Sequence, residues 1–108
     1  ARQYGAAVIT VVCNNGRYGT IRMHQERHYP GRVSGTDLFN PDYAALARAY
    51  GGHGELVERT EDFAAAFERA QRSGLPAVIE LRLDPEALAP GQNLSAARAQ
   101  GEKDRDNA

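Results

Sequence analysis

The chain has little cysteine, almost no net charge and no long apolar run, and each scarcity excludes a class of protein. A single cysteine, Cys13, cannot form an internal disulfide, which fits a reducing compartment such as the cytoplasm. The formal net charge is -1 with both signs interspersed, so neither nucleic acid nor an anionic membrane is expected as a partner. No apolar run is as long as a bilayer span, and a signal-peptide pattern is missing. We therefore expect a soluble, cytoplasmic chain.

Apolar spacing predicts the first elements. At 108 residues the chain can bury a modest core and form one domain at most. Residues 6–13 are apolar without polar alternation, which predicts a central strand covered on both faces, with Cys13 as a small buried hydrophobe. Residues 18–28 contain no proline and predict a helix, and the glycine-containing stretch 29–39 predicts a loop.

Two further helices are predicted downstream. Asn40 is expected to be an N-cap, with Pro41 at the first helical position. Thr60 is expected to cap the next helix, which ends at Gly74. Each helix carries one apolar stripe at one-turn spacing. The stripes are Tyr43, Leu46, Ala47 and Tyr50 in the first helix, and Phe63, Ala66, Phe67 and Ala70 in the second.

Two more strands complete the pattern. Residues 55–58 can form only a short strand, whereas residues 77–83 alternate apolar and charged side chains, so one face or an edge should meet solvent. The order β-α-α-β-α-β predicts parallel pairing in a three-layer, Rossmann-like α/β fold. Three strands leave sheet edges open, so we expect residues 1–92 to be part of a larger domain. Residues 93–108 are predicted to be a polar, disordered tail.

The feature richest in chemistry is Asn14-Asn15-Gly16, at the end of the predicted buried strand. Open parallel sheets bind ligands just beyond the carboxyl ends of their strands, where the next helix begins. The triplet alone is also a common turn former, so a turn and a metal–phosphate site both remain open at this point. The helix after it places several side chains on one face. These are Arg17, Thr20, Ile21, His24 and His28.

The triplet and the residues after it resemble a known family. Asn14-Asn15-Gly16-Arg17-Tyr18-Gly19 resembles the closing half of the thiamine diphosphate motif, which opens upstream with Gly-Asp-Gly. Residues 24–29, His-Gln-Glu-Arg-His-Tyr, and residues 37–43, Asp-Leu-Phe-Asn-Pro-Asp-Tyr, are similar to the acetolactate synthase branch of thiamine diphosphate enzymes. The resemblance runs from about Gly5 to Leu88 and implies that residues 1–92 are the C-terminal part of a thiamine diphosphate-binding domain.

The resemblance implies roles for particular residues. Asn15 would bind Mg²⁺ through its side chain and Arg17 through its backbone carbonyl, both being hard oxygen donors. It further implies that a short loop holds the cofactor and that one helix face lines the substrate pocket. The cofactor residues are Asn15, Gly16, Arg17, Tyr18 and Gly19, and the pocket residues are Thr20, Ile21 and His24. No catalytic side chain is expected in this chain.

The implied function is that of a fragment of a thiamine diphosphate- and Mg²⁺-dependent enzyme acting on 2-oxo acids, by decarboxylation or carboligation. Its partners would be the 2-oxo acid, the remainder of the enzyme and a second subunit of a homo-oligomer, and the fragment alone would be inactive. Alternatives within the family are benzoylformate decarboxylase-like and oxalyl-CoA decarboxylase-like enzymes. An alternative of another class is a non-catalytic α/β module that oligomerises through its open sheet edge.

Overall fold

The computed structural model describes residues 1–108 and divides into two compact units. The first unit consists of residues 1–14 and 40–83, and the second of residues 15–39 and 84–108. None of the helices combines the length and the apolar character that crossing a membrane requires.

The first unit is built on a parallel three-stranded sheet. Its strands are β1 (Ile9–Asn14), β2 (His53–Val57) and β3 (Ala77–Arg82), in the spatial order β1-β3-β2. The first residues of β1 and β2 both pair with Ala77, so the three strands start level and their carboxyl ends meet at one edge. This arrangement confirms the predicted parallel α/β fold.

Helix α3 (Phe63–Ser73) packs on one face of this sheet and forms the apolar core there. Ala66 and Ala70 are each 1% exposed and pack with Ile79 of β3, which is fully buried. The predicted stripe is therefore confirmed, and Gly74 ends the helix in the left-handed conformation, as expected.

Helix α2 (Tyr43–Ala49) packs on the opposite face. A Cβ on Gly54 would lie 2.1 Å from the Ala44 carbonyl oxygen, so helix and strand are in backbone contact. Gly54 and the core residue Val57 are three positions apart in β2 and therefore point to opposite faces. Helix, sheet and helix form the predicted three layers.

Two predictions about strand burial were wrong. β1 is an edge strand, where Val11 is 39% exposed and Cys13 is exposed rather than buried. β3 is the central strand, and its charged residue Glu80 is 2% exposed instead of facing solvent. The physical reason is that burial depends on which strands become neighbours. β3 lies between β1 and β2, and the local apolar pattern of a strand does not indicate which strands become its neighbours.

The predicted helix starts were also wrong in detail. Asp42, not Asn40, caps α2, its Oδ1 accepting from the Ala45 N–H at 2.8 Å. Pro41 lies before the helix, and the 3₁₀ turn at Thr60–Asp62 precedes α3 without a side-chain cap at Thr60. The α2 stripe is right at Ala47 and wrong at Leu46 and Tyr50, since the buried residues of the helix are small. These are Ala44 and Ala47, whereas Leu46 and Tyr50 are 46% and 77% exposed.

The second unit contains two helices and a small hairpin. Its elements are α1 (Gly19–His28), β4 (Ala87–Ala89), β5 (Gln92–Asn93) and α4 (Leu94–Asp106), with β4 and β5 antiparallel. α1 confirms the predicted helix, and residues 29–39 form no helix or strand, as expected. The predicted disordered tail is wrong, because residues 94–106 are helical.

Short side chains explain why α4 escaped prediction. Asn93 caps the helix, its Oδ1 accepting from the Ala96 N–H at 2.8 Å. The residues that α4 buries are Leu94, Ala97 and Gly101, which together form only a weak apolar stripe. Because the helix buries so little apolar surface, its composition resembles that of a polar, disordered tail.

Candidate functional site

The candidate site lies in residues 15–18, which lead directly into α1. Gly16 has a φ of 69°, a left-handed conformation that favours glycine. The segment is held by residues 36–38, since the Tyr18 N–H donates to the Thr36 carbonyl at 2.8 Å and the Leu38 N–H donates to the Gly16 carbonyl at 2.9 Å. The loop is thus a paired, ordered segment rather than a free turn.

Asn15 follows the last residue of β1, and its side chain is half-buried in the second unit. Its Oδ1 accepts one hydrogen bond, from the Arg17 N–H at 3.2 Å. Its Nδ2 lies over Gly19, where a Cβ would be only 2.9 Å away. Gly19 therefore leaves the space that the Asn15 amide occupies.

The loop presents backbone groups that the fold does not use. The Arg17 carbonyl accepts no hydrogen bond, because the first bond of α1 runs from the Arg22 N–H to the Tyr18 carbonyl. Tyr18 precedes α1 without a side-chain cap, so the N–H groups of the first helical turn have no acceptor from the chain. A carbonyl oxygen that accepts no hydrogen bond and a cluster of N–H groups without an acceptor thus occur within five residues.

The Arg17 side chain adds an unsatisfied charged donor. Its Nε is buried and has no hydrogen-bond partner. Leaving a buried donor unpaired costs about 1–3 kcal/mol. The amide oxygen, the carbonyl and these donors together match what a magnesium-bound phosphate group requires, hard oxygens for the cation and N–H groups for the anion.

The neighbouring Asn14 is engaged quite differently. It belongs to the first unit, where its Nδ2 donates to Glu80 Oε1 at 2.7 Å and its Oδ1 accepts from Asn40 Nδ2 at 2.8 Å. Both ends of this amide are therefore bound within the first unit. Asn14 therefore stabilises the first unit through its side-chain hydrogen bonds, a role that Asn15 does not share.

A polar cavity lies beside Asn14 at the carboxyl ends of the strands of the first unit. Its volume is about 380 Å³. Charged and amide side chains from α2, β2, β3 and the segment before α2 line it. The polar lining residues are Asn14, Asn40, Asp42, Arg48, Glu55, Glu80 and Arg82.

The pocket residues inferred from the resemblance share the exposed face of α1. Thr20, Ile21 and His24 are all exposed, Ile21 by 54%. The His24 and His28 rings are stacked one turn apart, with centroids 6.0 Å apart and planes 3° from parallel. The structure therefore brings these side chains together on one open surface.

The opposite side of α1 contains a buried ionic cluster that the sequence did not reveal. Glu26 is 1% exposed, and the hydrogen bonds from Arg98 are the chief reason that its pKa is lowered to about 2. The Gly31 N–H and Arg22 also donate to it. Arg22 and Glu26 are four residues apart, a spacing typical of a surface pair on a helix, but Glu26 is buried. Arg98 lies 72 positions away, and no local pattern links it to Glu26.

Comparisons with known proteins identify the family. The model of the family "Thiamine pyrophosphate enzyme, C-terminal TPP binding domain" matches residues 1–81. The chain belongs to this family. Among curated relatives, an acetolactate synthase large subunit of Mycobacterium tuberculosis is 38% identical over 88 residues, which are 82% of this chain and 16% of that protein. This supports the acetolactate synthase-like branch of thiamine pyrophosphate (TPP) enzymes, as the motif predicted.

Other relatives show the breadth of the family. A putative thiamine pyrophosphate-containing protein of Bacillus subtilis is 32% identical over 102 residues, 94% of this chain and 17% of that protein. A 3D-(3,5/4)-trihydroxycyclohexane-1,2-dione hydrolase of the same species is 27% identical over 97 residues, 84% of this chain and 15% of that protein. The chain therefore spans about one sixth of the length of the curated relatives that it matches.

Proposed function

We propose that this TPP-binding domain holds magnesium-bound TPP in an enzyme that acts on 2-oxo acids, with the decarboxylation or carboligation chemistry of acetolactate synthase. The support is the family match together with two oxygens of the 15–18 loop, Asn15 Oδ1 and the Arg17 carbonyl oxygen. The observation that carries the proposal is the pair formed by the half-buried Asn15 amide oxygen and the Arg17 carbonyl, which accepts no hydrogen bond.

Different groups of the chain would bind the cation and the anion. Asn15 Oδ1 and the Arg17 carbonyl oxygen would bind Mg²⁺, which prefers oxygen ligands and keeps some for phosphate and water. The N–H groups at the start of α1 and the Arg17 guanidinium would donate to the diphosphate, since a helix N-terminus favours an anion. When bound, TPP would supply the carbanion chemistry at the substrate carbonyl.

The exposed face of α1 would contribute to the substrate pocket. Ile21 would provide an apolar wall and His24 a polar contact, with Thr20 beside the loop. The remaining walls and the catalytic groups would come from the rest of the enzyme and from a second subunit of a homo-oligomer. The chain alone is therefore proposed to be inactive.

The two asparagines provide the test, because they are chemically identical and adjacent. In the full-length protein, Asn15→Ala should weaken TPP binding in excess Mg²⁺ by about 100-fold, an effect at the upper end of that for groups supporting a metal site. Asn14→Ala should lower the melting temperature, because it leaves Glu80 short of a donor, while TPP affinity changes little. Isothermal titration calorimetry measures both affinities. Equal losses at the two positions would remove Asn15 as a metal ligand.

A further inference from the structure

The C-terminal helix α4 is joined to α1 through one buried carboxylate. Arg98 of α4 donates to both oxygens of Glu26, with 2.7 Å between Arg98 Nε and Glu26 Oε2. Beside this pair the helices are in backbone contact, because a Cβ on Gly101 would lie 2.3 Å from the Arg27 carbonyl oxygen. Both charge and shape therefore hold α4 against α1.

The same carboxylate is linked to the segment that pairs with the candidate loop. Arg22 Nε donates to Glu26 Oε1 at 3.3 Å, and Arg22 Nη1 donates to Thr36 Oγ1 at 3.2 Å. Nη1 also reaches Asp37 Oδ1 at 3.4 Å. Thr36 is only 2% exposed, so this end of the cluster is as buried as Glu26. One guanidinium thus bridges the helix and residues 36–37.

Residues 36–38 in turn hold the loop that carries the proposed metal ligands. Arg17 and Asp37 form an antiparallel bridge, flanked by the two backbone hydrogen bonds between residues 16–18 and 36–38. A continuous series of contacts therefore runs from α4 through Glu26 and Arg22 to the Arg17 backbone. Every contact in it lies within the second unit.

We propose that Arg98 is a positioning residue for the cofactor loop, so that α4 sets the affinity of the domain for magnesium-bound TPP. The proposal rests on the function proposed above. It concerns a helix that begins 13 residues beyond the end of the family match at residue 81. Arg98 acts through other residues and touches neither the metal nor TPP.

The geometry explains how the loss of Arg98 would reach the loop. The planar guanidinium of Arg98 holds both Glu26 oxygens at once, so that Arg22 binds Glu26 through Nε alone and donates from Nη1 to Thr36. Without Arg98, the buried carboxylate keeps its charge and draws Arg22 toward itself, because an uncompensated buried charge is costly. Arg22 then loses Thr36, and the backbone pairing of residues 16–18 weakens.

The experiment compares three variants of the full-length protein. Arg98→Met removes the charge at nearly constant bulk, and Arg98→Lys keeps the charge without the two-pronged geometry. Arg105→Met is the matched control, since Arg105 is an exposed arginine of the same helix, paired only with Asp106 at 3.6 Å. TPP affinity is measured by calorimetry in excess Mg²⁺. Hydrogen exchange of the Tyr18 and Leu38 amides and the melting temperature without TPP are recorded in parallel.

We expect Arg98→Met to weaken TPP binding about 10-fold and to speed exchange at Tyr18 and Leu38, with Arg98→Lys intermediate and Arg105→Met unchanged. A lower melting temperature with wild-type affinity and unchanged exchange would show that the cluster only stabilises the fold, and would overturn the inference.

If Arg98→Met does not fold, Arg98→Lys decides by the same two readouts. Should Asn15→Ala leave TPP affinity intact, the proposed function fails. If Asn15→Ala weakens binding and the Arg98 variants do not, only this inference fails.

Discussion

The two units bury different kinds of side chain. The first unit has an apolar core centred on Ile79, formed by β2, β3 and α3, and Glu80 is its one buried charged side chain. In the second unit the largest fully buried side chains are Glu26 and Thr36, and its buried hydrophobic residues are only Leu94 and Ala97. Apolar burial stabilises without regard to direction, whereas hydrogen bonds fix distances and angles. The candidate cofactor loop lies in the unit whose largest buried side chains make hydrogen bonds rather than apolar contacts.

We expect the largest change in stability from a substitution in the apolar core of the first unit. Ile79→Ala should lower the free energy of unfolding by about 4 kcal/mol, because it leaves a cavity in a fully buried apolar site. Hydrogen exchange of the β3 amides in the full-length protein measures this loss. A decrease below about 1 kcal/mol would mean that the sheet does not depend on this core.

The second unit should instead be sensitive to acid. The pKa of Glu26 is lowered from 4.5 to about 2, so its ionised form stabilises the fold above pH 4.5. That stabilisation, about 3 kcal/mol, should be lost as the pH falls from 4.5 toward 2. Hydrogen exchange of the α1 amides, corrected for intrinsic rates, should accelerate over this range.

Two glutamine variants make this prediction specific to the buried site. Glu26→Gln should abolish the acid-dependent acceleration, because the titrating group is gone. Glu68→Gln is the matched control, since Glu68 is 61% exposed and pairs with Arg72 four residues away. An exposed pair of this kind contributes about 0.5 kcal/mol or less. The same pH profile in wild type and Glu26→Gln would contradict the role assigned to the cluster.

The smallest effect is expected at Gly19, where a substitution should weaken TPP binding without lowering the melting temperature. Gly19→Ala should weaken TPP binding about 10-fold, about 1.4 kcal/mol, because the added Cβ displaces the Asn15 amide. The same change should leave the melting temperature unchanged or slightly raised, because alanine favours a helix over glycine. Calorimetry and thermal unfolding measure the two quantities. Unaltered TPP affinity would show that the Asn15 orientation is unimportant.

Sequence reasoning succeeded where the determinants were local. The stripe of α3, the end of that helix at Gly74 and the parallel fold follow from apolar spacing and glycine chemistry. It failed where distant residues decide the outcome. Cys13 is exposed on β1, which pairs with β3 alone and lies at the sheet edge, and Asn40 binds Asn14 instead of capping α2.

The candidate site shows the same division. The Asn-Asn-Gly triplet located the loop, because a turn after an apolar strand is visible in the sequence. The cluster around Glu26 was missed, because Arg98 and Thr36 meet it only through the fold. Buried ion pairs between distant residues have no periodicity to detect, and α4 shows little apolar character.

A crystal structure of the full-length protein with TPP and Mn²⁺ in place of Mg²⁺ tests the central claim most directly. The anomalous signal of Mn²⁺ locates the cation without ambiguity. We expect it at bonding distance from Asn15 Oδ1 and the Arg17 carbonyl oxygen, about 2.0–2.2 Å, close to the Mg²⁺ value. A cation bound elsewhere, with the Asn15 side chain still on the Arg17 N–H, would contradict the account.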